Sequence, residues 1–346
     1  MTESMPLVSI IIVNYNGERF LERCLSSLLS SNYPNFEVIF VDNASINGSV
    51  KLVKNYLNSV SHKLINNPKN LGHAEGCNTG ARVARGKYVV FLDNDTEVRK
   101  NWLKELVKVM ESDPGIGAAQ STLLLDSCSI WATGECIVRL GWAFLESYLK
   151  KTTIITLREI FSAISAALIV RRDALEEIGG FDADFFVYYD DVDLCWRLRL
   201  RGYKVVVAHS MVYHKFEKKP LGRRTILFHY VKNNFLILIK NYELGNLCRY
   251  LPLTMMSRLF FAIKKEFTLP TIKAFLWIIL NFKKVWLKRL TVQHFIRNTP
   301  DSVVVQHMLP VNIFPAYVAH WFFHYRCHPK LQDFQFFLNR VLTHLT

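Results

Sequence analysis

The chain has 346 residues, half of them apolar or aromatic, and a formal net charge of +14. That is enough material for a sizeable core, as one large domain with an appendage or as two domains. The charge is uneven: residues 1–200 hold 21 Lys and Arg against 24 Asp and Glu, whereas residues 201–346 hold 22 against 5. A near-neutral first part joined to a basic, aromatic-rich second part predicts a globular unit with a surface for an anionic partner. The seven cysteines (Cys24, Cys77, Cys128, Cys136, Cys195, Cys248 and Cys327) are odd in number, scattered, and include no Cys-x-x-Cys pair. That argues against a zinc site or a disulfide framework and predicts free, mostly buried thiols in a reducing compartment.

In chain order, Leu7 to Val13 is a β-branched run that ends in the turn signal Asn14-Tyr15-Asn16-Gly17. It is too short, and lacks the basic flank, for a secretory signal. Phe20, Leu21, Cys24, Leu25, Leu28 and Leu29 recur at helical spacing up to Pro34. Phe36 to Val41 is a second strand, Ser49 to Leu57 a helix, Lys63 to Asn66 a short strand, and Ala74 to Ala84 a helix. Tyr88 to Leu92 reads as a strand buried on both faces, running out into Asp93-Asn94-Asp95. This strand–helix rhythm predicts an α/β fold with a parallel sheet flanked by helices. After a helix from Asn101 to Met110, residues 116–160 read as short strands and a loop rich in Gly, Trp and Thr. A strand from Ser162 to Val170, a helix from Arg172 to Ile178, a helix Leu194 to Arg201 opened by Asp190-Asp191-Val192-Asp193 and capped by Gly202, and a strand from Tyr203 to Ala208 follow. From Arg223 onward the pattern is helical.

The chemistry falls at strand ends. Ligands of open α/β sheets bind beyond the carboxyl ends of the strands. Two carboxylates one residue apart, Asp93 and Asp95, can hold a hard divalent cation, and such a cation can neutralise a diphosphate. Tyr15 and Asp42 end the first two strands, where a ring can stack on a base and a carboxylate can accept hydrogen bonds from base or ribose. Asp190-Asp191 forms a second acidic cluster at a helix start, where the dipole favours it and where one carboxylate could serve as general base. Tyr188-Tyr189 before it offers a wall for a sugar ring, and His214 is a third metal position.

The motifs Val13-Asn14-Tyr15-Asn16, Val41-Asp42-Asn43-Ala44-Ser45, Asn70-Leu71-Gly72, Leu92-Asp93-Asn94-Asp95, Gly179-Gly180-Phe181-Asp182, Tyr189-Asp190-Asp191-Val192-Asp193-Leu194-Cys195-Trp196-Arg197 and Val212-Tyr213-His214 stand in this order over about residues 7–242. Together they resemble glycosyltransferase family 2, closest to its rhamnosyltransferase-like branch. The resemblance implies the GT-A fold, a nucleotide-sugar-binding α/β domain with a mostly parallel sheet, and an inverting, single-displacement transfer. It implies that Val13, Asn14, Tyr15, Asp42, Asn70, Gly72, Asn78, Asp93 and Asn94 bind the nucleotide sugar, with the base thymine or uracil. Asp93 and Asp95, with His214, would hold Mg²⁺ or Mn²⁺, and Asp191 would deprotonate the acceptor hydroxyl. Trp131, Tyr188, Tyr189 and Asp190 would face the acceptor, and Lys232 a phosphate. The chain departs from the family pattern in having Asp190 where Glu is common, His73 and Glu75 near the helix after Gly72, and Lys232 where Arg is common.

A nucleotidyltransferase would carry a glycine-rich basic loop after the first strand, which Asn14-Tyr15-Asn16-Gly17-Glu18 is not. A catalytically inactive partner of another transferase would be expected to lack an acidic motif, and Asp93, Asp95 and Asp191 are all present. The expected organisation is a GT-A domain over residues 1–245 and a basic amphipathic helical region over 246–346. In the latter, Arg258, Lys264-Lys265, Lys283-Lys284 and Lys288-Arg289 alternate with Phe, Trp and Leu, and no apolar run approaches a spanning length. That mixture predicts helices lying on an anionic membrane surface, on the cytoplasmic face, close to a glycan or lipid-linked glycan acceptor. The alternative is a basic helical subdomain whose apolar faces pack onto the main domain or onto a second copy of the chain. No nucleic-acid module is present.

Overall fold

The computed structural model describes residues 5–126, 129–146, 157–215, 221–263 and 265–311. Strands Val8–Asn14 (β1), Phe36–Asp42 (β2), His62–Asn66 (β3) and Tyr88–Asp93 (β4) pair in parallel in the spatial order β3-β2-β1-β4. Helices Glu18–Leu29 (α1), Ser49–Tyr56 (α2) and Gly72–Ala81 (α3) connect them. In β1, Ile10 and Ile12 enter one hydrophobic cluster while Ile11 enters the other. Alternate side chains thus leave opposite faces of the strand, and both faces are covered, which is why Ile10 to Val13 read as an unbroken apolar run. Leu21, Leu25 and Leu28 of α1 close one side, and Ala74 and Cys77 of α3 the other.

Beyond β4 come Thr96–Val98 (β5), helix Trp102–Ser112 (α4), Ile116–Leu124 (β6), Ile130–Ala132 (β7), Glu135–Ile137 (β8), Ala143–Leu145 (β9) and Arg158–Glu159 (β10). Ala167–Arg171 (β11), helices Arg172–Glu177 (α5) and Asp190–Arg201 (α6), and Lys204–His214 (β12) complete this part. The sheet path is β10-β12-β6-β11-β4-β1-β2-β3. Here β11 runs antiparallel between β4 and β6, while β12 runs parallel to β6. Residues 116–124, expected as short strands and loop, form one fully buried nine-residue strand. Within it Gln120 Oε1 accepts from Ile164 N at 2.6 Å and Ser121 Oγ lies 2.8 Å from Ser210 Oγ, while the buried Gln120 Nε2 is left without a partner among the described residues. The strand expected from Ser162 begins only at Ala167. Cys24, Cys77 and Cys195 are buried thiols, Cys136 is half-buried and Cys248 exposed; Cys128 and Cys327 lie outside the described residues.

Helices Arg223–Asn241 (α7), Leu244–Ala262 (α8), Lys265–Leu280 (α9), Phe282–Thr291 (α10) and Asp301–Val304 (α11) follow. The boundary expected after residue 245 falls within the first turn of α8, and one hydrophobic cluster crosses it, joining Phe91, Trp196 and Phe235 to Leu247, Tyr250, Ala274 and Val285. Residues 312–346 lie outside the described residues. No helix among the described residues is long and apolar enough to cross a membrane.

Several cations expected to face lipid are turned inward. Arg258 and Arg289 are buried, the latter donating to the Ile239 and Tyr242 carbonyls at 2.6 Å each. Lys288 pairs with Asp182 and Asp184, and Lys284 with Asp184. Lys240, itself buried, bridges Asp182 and Asp193. Carboxylates in the Gly180–Asp193 region create these partners, and a buried charge is tolerated only when paired in this way. Lys283 remains exposed, and the side chains of Lys264 and Lys265 lie outside the described residues.

Candidate active site

The registers Val13↔Asp93 and Asn14↔Asp42 bring the ends of β4, β1 and β2 side by side. Beyond them lies a cavity of about 1040 Å³, lined among others by Val13, Tyr15, Asn70, Gly72, Asp93, Asn94, Asp95, Trp131, Tyr188, Tyr189, Asp190, Asp191 and His214. Asn14 and Asp42 stand behind this wall. Asn14 Nδ2 donates to Asp42 Oδ1 and to Ser45 Oγ, both at 3.0 Å, and its Oδ1 accepts from Asn94 Nδ2 at 2.7 Å. Asp42 also accepts from the Ser45 amide at 2.8 Å and the Ser45 hydroxyl at 2.6 Å, which pins the loop after β2. Gly72 opens α3 at φ +83°, and a Cβ there would meet the Phe186 carbonyl oxygen at 2.5 Å, so only glycine suits the position.

His214 reaches the ligand cluster through β5, a strand too short to be legible in the sequence. β5 pairs antiparallel with the end of β12, setting Thr96 opposite His214. His214 Nε2 then lies 3.1 Å from Asp95 Oδ1 and 3.6 Å from Asp93 Oδ2. Ligand atoms of Asp93, Asp95 and His214 all fall within 4.8 Å of one another. Two carboxylates and one imidazole fit a divalent cation such as Mg²⁺ or Mn²⁺ that leaves coordination positions open for phosphate oxygens. The Trp131 ring lies against His214, with centroids 4.9 Å apart.

Across the cavity, α6 presents Asp190 and Asp191 in its first turn. Asp190 is buried and its Oδ2 lies 2.6 Å from His73 Nδ1, while His73 Nε2 lies 3.6 Å from Asp93 Oδ1. Burial opposes a charge on His73, but Cys77, Asp190 and Asp93 outweigh it and raise its pKa well above the usual histidine range. His73 thus bridges the two acidic clusters. Asp191 is pushed up to about 7 by burial and by repulsion from Asp190, against the opposing pull of His73. A carboxyl poised there is suited to accept a proton near neutral pH.

Residues 9–179 match the family model described as Glycosyl transferase family 2. The chain carries a glycosyltransferase family 2 domain. Over 222 residues it is 33% identical to the "O-antigen biosynthesis protein RfbC" of Myxococcus xanthus, covering 60% of this chain and 17% of that protein. Over 215 residues it is 25% identical to "Glycosyltransferase AglE" of Haloferax volcanii, covering 61% of this chain and 67% of the relative. Against an uncharacterized glycosyltransferase of Haemophilus influenzae it is 32% identical over 126 residues, or 35% of this chain and 38% of that one. The chain therefore spans a fifth or less of the first of these relatives and under half of the Haemophilus protein. Among solved structures, GalNAc-T7 with UDP, GalNAc and Mn²⁺ superposes with a TM-score of 0.61 at 17% identity, covering 86% of this chain and 59% of that one. The Pyrobaculum calidifontis mannosyltransferase PcManGT with GDP-Man and Mn²⁺ gives 0.52 at 19% identity, covering 84% and 86%. These likenesses are of fold, and the fold is GT-A.

One wall of the cavity rests on an unusual backbone. Phe186, Tyr188 and Tyr189 have φ of 63°, 65° and 63°, the left-handed region that bulky residues rarely adopt. Fully buried Asn233 holds them there: its Nδ2 donates to the carbonyls of Phe185, Val187 and Tyr188 at 3.0, 2.9 and 2.7 Å. Tyr188 and Tyr189 both pack on Tyr230, at 4.8 and 5.5 Å between centroids.

Besides Asn14 and Asp42, two further residues expected at the site do not line the cavity. Asn78 ties α3 to the turn before α6, donating to the Phe181 carbonyl at 2.8 Å and accepting from the Phe181 amide at 2.9 Å. Lys232 is buried, donates to the Asp184 carbonyl, and lies 4.8 Å from the Trp277 ring centroid. Its burial lowers its pKa to about 8. Conversely, Glu135, Trp142, Arg258 and Phe261 line the cavity without having been singled out for it. The one available signal was Glu135 and Trp142 lying in the Gly/Trp/Thr-rich stretch that shows no periodicity.

Proposed function

We propose that this chain is an inverting, metal-dependent glycosyltransferase. It would move rhamnose or a related hexose from a dTDP- or UDP-linked donor to a hydroxyl of a glycan, in surface-polysaccharide assembly. The observation that carries this is one cavity in which the Asp93/Asp95/His214 cluster and Asp191 face the same space from different elements. Inversion requires attack from the face opposite the departing diphosphate, so donor-holding and proton-accepting groups must lie across the sugar from each other. Mg²⁺ or Mn²⁺ held by Asp93, Asp95 and His214 would offset charge on the leaving diphosphate. Tyr15 would stack on the base at the rim, Asp42 and Asn14 would brace the loop that receives the ribose, and Asn70, Gly72 and Asn94 would shape the donor wall. Asp191 would take the acceptor proton, and Trp131, Tyr188 and Tyr189 would supply flat faces for the acceptor ring, next to Asp190. The Mn²⁺ held by two fold neighbours supports the metal, and the UDP and GDP-Man bound to them support a nucleoside-diphosphate sugar as the donor class.

The C-terminal helices would rest on the inner face of the cell membrane. Met256, Leu259, Ile263, Ile272, Ile279 and Leu280 are exposed on α8 and α9 and the turn between them. Such a surface would hold the cavity near a lipid-linked acceptor. The deciding experiment is a panel of nucleotide sugars screened for thermal stabilisation with and without Mn²⁺. A dTDP- or UDP-sugar that raises Tm only with the metal is expected; no stabilisation by any nucleotide sugar overturns the proposal.

A further inference from the structure

Glu135 is a carboxyl that the chemistry above leaves without a task. It stands on the three-residue strand β8 and lines the cavity together with Asp191, Tyr188 and Trp142. Its backbone is already used structurally, the amide donating to the Ser162 carbonyl at 2.8 Å and the carbonyl accepting from the Ser162 amide at 3.3 Å. The side chain is not: its contact with the Ser162 hydroxyl is 3.5 Å, at the limit of a hydrogen bond. Among the described residues no basic side chain pairs with it. A carboxyl half-buried without a cation is costly where an apolar residue would serve the fold equally well.

We propose that Glu135 is the second carboxyl of an acceptor subsite for a pyranose with neighbouring hydroxyls, binding the hydroxyl next to the one that Asp191 deprotonates. The inference rests on the transferase reading of the cavity. The subsite has the two features that a sugar ring needs: polar groups for its hydroxyls and flat apolar faces, here Trp131 and Tyr188, for its C–H surface. Burial and the charges of Asp191 and Asp190 raise the Glu135 pKa well above the carboxylate range, favouring the neutral acid. A neutral carboxyl both donates and accepts, which matches a hydroxyl, and it leaves Asp191 as the charged partner. In the transfer, the acceptor oxygen forms its bond to the anomeric carbon as the bond from that carbon to the diphosphate oxygen breaks. The electron pair leaves with the diphosphate, the hydroxyl proton goes to Asp191, and Glu135 keeps its own.

The test compares Glu135→Ala and Glu135→Gln with the wild-type chain, using p-nitrophenyl hexopyranosides and a polyprenyl-diphosphate-linked N-acetylhexosamine as acceptors. Donor binding with Mn²⁺ is followed by calorimetry and donor hydrolysis by water in parallel. Expected is an acceptor KM raised about tenfold or more in the Ala variant. The Gln variant, which also donates and accepts, stays within about threefold of wild type, and donor affinity and hydrolysis are unchanged in both. An Ala variant with wild-type acceptor KM, a Gln variant as impaired as Ala, or a loss of donor binding in both overturns the assignment. A wild-type chain that transfers to none of the acceptors fails at the transferase reading itself and takes this inference with it.

Discussion

Tyr15, Asp42 and Asp93 close three adjacent parallel strands, whereas Asp191, Glu135 and Tyr188 come from a helix start, a three-residue strand and a left-handed turn. On the first side the hydrogen-bond ladder sets the spacing: Val13 opposite Asp93 and Asn14 opposite Asp42 leave little freedom. On the second side position depends on side chains elsewhere, above all Asn233, whose amide holds three carbonyls of the turn. A ladder suits the part of a ligand that is constant, a nucleoside diphosphate. Short strands and turns can be rebuilt without disturbing the sheet, so they suit the part that varies, the acceptor. The contrast predicts that substitutions on the two sides separate chemistry from donor binding.

The largest separation is expected at Asp191. Asp191→Asn should lower turnover by about 10²–10⁴-fold, the range for losing a general base, while nucleoside-diphosphate affinity with Mn²⁺ stays near wild type. Turnover that remains near wild type would remove Asp191 from the chemistry. The wild-type pH profile gives an independent check. The base must be ionised to act and its pKa is raised to about 7. Hence kcat/KM should climb with pH through that value and level off above it, with about a tenfold loss per unit below. An acid limb centred near pH 4 instead would mean that burial and Asp190 do not act on the working base.

Asp95→Ala probes the other side and should do the reverse. With one carboxylate gone from the Asp93/Asp95/His214 cluster, calorimetric donor affinity should fall by about 10–100-fold in the presence of Mn²⁺ and lose its dependence on the metal, an effect comparable to disturbing a metal site elsewhere. Unchanged metal-dependent binding would break the comparison, since the ladder side would then not be the donor side.

The same contrast explains what could be read from the residues alone. Strands β1, β2 and β4 are predominantly apolar runs ending in polar turns, and β3 adds the short pair Leu64-Ile65, so their order and the line of Tyr15, Asp42 and Asp93 were legible. The nine-residue β6 was not, because Gly117, Ala118 and the polar run Gln120-Ser121-Thr122 carry no hydrophobic signal and are buried by pairing with both β11 and β12. The antiparallel insertion of β11 has no local signature either, since it depends on partners distant in sequence. His214 was legible as a residue but not its route to the cluster, which runs through β5. Glu135 was missed for want of any periodic context. Arg258, Lys288 and Arg289 were expected outside and lie turned inward, because their partners Asn234, Asp182, Asp184 and two main-chain carbonyls only come together in the folded chain.

That inward turn of charge sharpens the smallest predicted effect. With those cations engaged internally, attachment to a bilayer would depend on apolar side chains more than on charge, and Ile279 and Leu280 at the end of α9 are 68% and 82% exposed. The double substitution Ile279→Glu with Leu280→Glu touches neither half of the cavity. Flotation with anionic liposomes should drop several-fold, by the loss of two side chains worth roughly 1.5–3 kcal/mol each when fully buried. Donor hydrolysis in solution should be unchanged. Raising the salt concentration should weaken wild-type flotation only modestly, because screening acts on exposed charges and not on apolar contact. Flotation that vanishes with salt and ignores the double substitution would return the membrane contact to the basic residues, Lys283 among them. Flotation indifferent to both treatments would move the contact off this face altogether.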